Sequence, residues 1–110
     1  MVHHYKEFCA CATEAERKEK IQFICGNDKV QILDLLEECK QDLISSDEDA
    51  RSMAIQFISM CITSGRVGDK SSHAFLLNFL MQKIPELLVL PHVLKAINFL
   101  LSSTLTTNLV

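Results

Sequence analysis

Residues 43–62 read LISSDEDARSMAIQFISMCI, and the fold turns on how that stretch divides. The knot Ser45-Ser46-Asp47-Glu48-Asp49 has three chemical readings. A calcium loop needs alternating oxygen ligands, a glycine at its sixth position and a glutamate at its twelfth. Counted from Asp47, the sixth is Ser52 and the twelfth is Ile58, so that reading fails. A catalytic carboxylate pair needs convergent groups beside it, and no nucleophile, histidine or phosphate loop adjoins the knot. The remaining reading is a helix start. Ser46 or Asp47 caps the following helix, and Glu48 and Asp49 meet the positive end of its dipole, worth about 0.3–1 kcal/mol each.

The residues beyond the knot have a clear helical period. Ala50, Met53, Ala54, Phe57, Ile58 and Cys61 fall on one face, and Gly65 marks the stop. Upstream, Ile32, Leu36, Cys39 and Leu43 form a second stripe on a helix capped by Asn27 or Asp28 and running to about Ile44. Before it, Thr13 and Glu16 have the spacing of a capping box, opening a helix that closes at Gly26. Its middle, Glu14 to Lys20, is a solvated run of alternating charge, which predicts a peripheral helix.

Downstream, the loop GRVGDKSS (65–72) leads to a helix from about His73 to Ile84, with Ser71 or Ser72 as cap and Pro85 as stop. Its Phe75, Leu76, Leu77, Phe79, Leu80 and Met81 surround more than one face, which predicts burial from two sides. Pro91 fits the first turn of a last helix, PHVLKAINFLLS. The Thr-rich residues 102–110 read as a flexible tail. The organisation is therefore an N-terminal peripheral segment and helix over 1–26, helix pairs over 27–101, and the tail. Strands have little to be built from.

Composition narrows the function. The chain has 110 residues, 48% apolar and 23% charged, with a formal charge of −3, as expected of one globular domain. Its 11 Lys and Arg are scattered rather than clustered, which speaks against direct nucleic-acid binding. No run reaches the roughly 18 apolar residues of a membrane span, and the start lacks a secretory core. Five cysteines, three of them within expected helices, point to a reducing compartment. There is no glycine-rich phosphate loop.

His3, His4, Cys9 and Cys11 are ligand types within nine residues, and they give the alternative of a small metal-binding regulator. Their spacing lacks the paired half-sites of a zinc finger, so the first expectation is no metal and no cofactor. His73 and His92 have no partner at triad spacing. Met53, Met60 and Met81 read as core packing.

The order of parts around the knot resembles the inter-helix turn of a HEAT repeat. A helix ends in Asp42-Leu43-Ile44, an acidic turn follows, and then comes Ala50-Arg51 with Ala54 three residues after the arginine. Asp47 falls at that turn's second acidic position and Arg51 at its basic one; Ser45 stands where the family usually has its first aspartate. Over residues 33–101 the chain is similar to the N-terminal part of the HEAT-repeat adaptor of cytosolic iron–sulfur protein assembly. The shared features are this turn, the helix segment Phe79 to Ile84, and the lead-in Val89-Leu90-Pro91-His92-Val93-Leu94.

The resemblance implies an all-α fold of about five helices, in antiparallel pairs of a HEAT-like, armadillo-type right-handed superhelix. It implies a structural Asp47–Arg51 pair, with Met53, Phe57, Phe79 and Leu94 in the core. It implies a non-enzymatic scaffold in cytosol and nucleus that binds the iron–sulfur targeting complex and client apoproteins of DNA repair, replication and transcription. The chain would then be a short isoform or a fragment of a longer protein. Solenoid ends need a polar outer face, and the last helix instead carries Val93, Leu94, Ile97 and Leu101, the expected partner surface. An unrelated small helical interaction module is the other alternative.

Overall fold

The computed structural model describes residues 4–27, 30–65 and 70–108. Among these it contains helices and no strands: α1 (His4–Cys9), α2 (Glu14–Cys25), α3 (Ile32–Leu43), α4 (Glu48–Thr63), α5 (Lys70–Gln82), a short 3₁₀ turn (Leu87–Val89) and α6 (Leu90–Asn108). The all-α expectation holds, with one helix more than expected. No helix among the described residues is long and apolar enough to cross a membrane.

Local chemistry sets most helix ends. Thr13 Oγ1 accepts the Glu16 backbone N–H at 3.2 Å, and the Glu16 carboxylate reaches back to the Ala12 N–H at 3.1 Å. The reciprocal half of this box thus lands one residue before the cap. Asp47 Oδ1 accepts the Asp49 N–H at 3.0 Å, and Glu48 and Asp49 occupy the first turn of α4, as the dipole argument requires. Gly65 follows α4 at φ 99°, a left-handed conformation in which a side chain would be strained.

One expected cap is not used. α3 begins at Ile32 behind Gln31, which makes no side-chain cap bond, while Asn27 is spent accepting the Val30 N–H on its backbone carbonyl. Asp28 lies outside the described residues.

Successive helices pair across short connections, α1 with α2, α3 with α4 and α5 with α6, which turns each pair back on itself. The pairs also touch their neighbours in register: α1 meets α3, α2 meets α4, and α4 meets α6. α4 is therefore the axis of the molecule. Its expected stripe is too narrow, because Ile55, Ser59 and Ile62 are buried together with Ala54, Phe57, Ile58 and Cys61. A helix with neighbours on several sides needs more than one apolar face.

The N-terminal segment is not peripheral. Tyr5 and Phe8 are buried, with ring centroids 5.2 and 5.1 Å from that of Phe57. The Tyr5 hydroxyl donates to Asp42 Oδ2 at 2.7 Å and the Tyr5 N–H donates to Glu38 Oε1 at 3.1 Å, fixing α1 to α3. Two aromatic rings in six residues outweigh a short polar helix, since each can bury roughly 150–250 Å². α2 does bury only its C-terminal half, through Ile21 and Ile24.

The C-terminal pair departs from expectation in the opposite sense. α5 buries Leu76 and Leu80, while Phe75 and Met81 are 55% exposed, so it is covered from one side. Met81 is thus not core. α6 continues helical through Ser102 to Asn108, where a loose tail was expected. Threonine costs a helix only tenths of a kcal/mol per residue, too little to end one already under way.

Candidate functional site

The three helices α2, α4 and α6 form one layer, and a groove of about 260 Å³ runs across it. Glu14, Lys18 and Gln22 supply the α2 wall, and His92 and Lys95 supply the α6 wall. Between them α4 presents Ser59, Met60 and Thr63. Each wall residue is set by helical spacing: Glu14, Lys18 and Gln22 recur every fourth residue on α2.

The groove is charged along its walls and carries a buried serine on its floor. Ser59 is 1% exposed, and its hydroxyl finds no hydrogen-bond partner in the protein. Its carbonyl is used, accepting from Thr63 Oγ1 at 2.9 Å. His92 Nε2 lies 3.4 Å from Gln56 Nε2, a contact that joins α4 to α6. Burial holds the His92 imidazole below its ordinary value, against the pull of Glu14. An amide nitrogen only donates, so in this contact Nε2 is the acceptor. The groove thus brings together two lysines, one glutamate, an imidazole and hydroxyl groups.

The turn residues meet, but not as a pair with each other. Arg51 Nε donates to Glu86 Oε1 at 2.9 Å and Arg51 Nη1 donates to the Ser45 carbonyl at 2.9 Å. Asp47 is occupied as cap, accepting the Asp49 N–H, and its own N–H donates to Ser45 Oγ at 3.0 Å. The expected Asp47–Arg51 pair is therefore corrected to Arg51–Glu86. The Asp47 carboxylate is committed to its own helix start, whereas Glu86 arrives from the connection between α5 and α6.

The expected partner surface splits in two. Val93 is fully buried and Ile97 half-buried, whereas Leu94 and Leu101 are 50% and 44% exposed. Val93 belongs with Ala96 and Leu100 on the face of α6 turned to the core, so it cannot contact a partner in this state. Leu94, expected both in the core and on the partner surface, is half exposed and so is not core. Phe57 is fully buried, and Met53 and Phe79 are partly buried against the core.

The N-terminal ligand types are dispersed in their roles. Cys11 donates to the Glu7 carbonyl at 3.4 Å, Cys9 is exposed near the Tyr5 hydroxyl, and the His4 Nδ1 is buried without a partner. Partial burial of its sulfur pushes the Cys9 thiol up, with the Tyr5 hydroxyl pulling the other way. Among the described residues no three His, Cys, Asp or Glu side chains converge on a metal position. His3 lies outside the described residues.

Sequence reasoning missed Ser59, Lys18 and Glu86. Lys18 sits inside the run read as solvated, and Glu86 follows a proline with no periodic context. Ser59 was legible only as a polar residue within an apolar helix. Against known proteins the chain matches no family model, no curated sequence and no solved structure.

Proposed function

We propose that this chain is a HEAT-like helical-repeat module acting as a non-enzymatic scaffold for protein partners. The observation that supports it is the Arg51 rung. One guanidinium joins the turn between α3 and α4, through the Ser45 carbonyl, to the connection between α5 and α6, through Glu86. Tying successive inter-helix turns is what a repeat array requires, because each pair is stabilised mainly by its neighbours. Leu94 and Leu101 extend the reading by offering apolar surface on the last pair.

Following the sequence resemblance, the partners are the iron–sulfur targeting complex and its client apoproteins, met in cytosol and nucleus. The test is affinity capture of the 110-residue chain from cytosol, with partners identified by mass spectrometry. Leu94→Asp with Leu101→Asp is the control. Recovery of the iron–sulfur targeting components, lost in the control, is the expected result. A folded chain that recovers other proteins through the same leucines keeps the scaffold and removes the iron–sulfur assignment. A folded chain that recovers none overturns both.

A further inference from the structure

We propose that the α2–α4–α6 groove binds an extended, acidic segment of a partner protein, with a carboxylate held between Lys18 and Lys95. The inference rests on the scaffold reading for its premise that the ligand is a protein segment. Charge complementarity selects the sign. Lys18 and Lys95 stand on opposite walls, Glu14 is the single acidic lining residue, and the α4 floor carries Ser59 and Thr63. The protein as a whole carries −3, so a groove with this local excess of cations is a departure from its surroundings.

Size selects an extended segment. At about 260 Å³ the groove lies below the roughly 300–1,000 Å³ typical of small-molecule and cofactor pockets. It accommodates a side chain or two at a time. Ile21 and Met60 add apolar contact beside the lysines, which favours acidic residues alternating with aliphatic ones.

Ser59 is the independent observation. A buried hydroxyl normally has a partner, and leaving one unmatched opposes folding. The α4 hydroxyl at this floor has none within the protein. A main-chain group of a bound segment would supply one. Ser59 is therefore a positioning residue for the ligand's backbone, while the lysines read its charge.

The experiment uses the whole chain and a fluorescein-labelled peptide, Gly-Glu-Leu-Glu-Leu-Glu-Gly, followed by fluorescence anisotropy. Versions with glutamine or lysine replacing each glutamate run alongside. The glutamate peptide should bind saturably, with affinity falling as salt rises. The glutamine peptide should bind about tenfold more weakly, and the lysine peptide weaker still. Lys18→Glu combined with Lys95→Glu should cost about tenfold or more, with circular dichroism unchanged. Ser59→Ala should weaken binding about threefold without lowering the melting temperature, since it removes an unmatched group.

Equal affinity for the three peptides, indifference to the lysine reversals, or no saturable binding by folded protein overturns the inference. So does full displacement by millimolar inorganic phosphate of a peptide that binds no better than phosphate, which would mark a generic anion site. Failure here with successful capture through Leu94 and Leu101 removes the groove and leaves the scaffold. Peptide binding with failed capture overturns the scaffold reading and its assigned partners, and leaves a groove that binds acidic peptide.

Discussion

The α1–α2 and α5–α6 pairs both pack against α4, and α1 buries its aromatic residues more completely than α5 does. Phe8 on α1 is fully buried beside Phe57, whereas Phe75 on α5 is 55% exposed. The first pair buries Tyr5, Phe8, Ile21 and Ile24, and turns Phe23, 74% exposed, outward with the charged residues of α2. The second keeps an interior face, with Leu76, Leu80, Val93 and Leu100 buried, and leaves Phe75, Met81, Leu94 and Leu101 at the surface. The last pair leaves more of its large apolar side chains at the surface than the first. The difference follows from where apolar residues lie around each helix rather than from how many there are.

The comparison is most severely tested by making one substitution at both ends. Phe8→Ala should cost about 3–5 kcal/mol, the range for deleting a buried ring. A loss below about 1 kcal/mol in urea denaturation would mean that α1 is not docked on Phe57.

The link between the middle and last pairs comes next. Arg51→Ala should cost about 1–2 kcal/mol, for one charge-assisted bond and one to a carbonyl in a partly exposed position. A double-mutant cycle with Glu86→Gln separates the two bonds. Zero coupling would show that the rung contributes nothing, as many exposed ion pairs do.

Tyr5→Phe should cost about 1 kcal/mol at neutral pH through the lost bond to Asp42. It also has a pH signature. Burial raises the Tyr5 hydroxyl above its unfolded value of 10.0, with the Asp42 bond adding to the shift. A folded value above the unfolded one gives stability that is present below pH 10.0 and lost as pH rises further. The variant should lose less stability than the parent above that pH, and parallel curves would remove Tyr5 as the cause. The smallest effect belongs to Phe75→Ala, expected near 0.5 kcal/mol, the surface range. A cost like that of Phe8→Ala would mean that Phe75 is covered in solution.

Much of the fold was legible because local chemistry decides it. The Thr13 and Asp47 caps, the stop at Gly65 and the α4 stripe through Phe57 each depend on residues within a few positions, so periodicity and capping rules reach them. Side chains with two reasonable roles were not legible. Asp47 could cap a helix or pair with Arg51, and both lie in one local motif; the arrival of Glu86 from 35 residues away settles it. Leu94 and Val93 are adjacent and equally apolar, and only the position of α4 against α6 separates surface from core. In the groove, Lys18 read as solvated because a sequence shows which helix face is charged, not which other helix that face will meet.

Sequence alone thus determined that this protein is helical, roughly where its helices begin and end, and which stripes must be buried. Tertiary structure decided that α1 belongs to the core, that Arg51 answers Glu86, and that Lys18, Ser59 and Lys95 share one groove. The physical reason is range. Backbone capping and periodic burial act over one or two turns, whereas charge pairing, aromatic packing and groove geometry depend on which distant segments the fold places side by side.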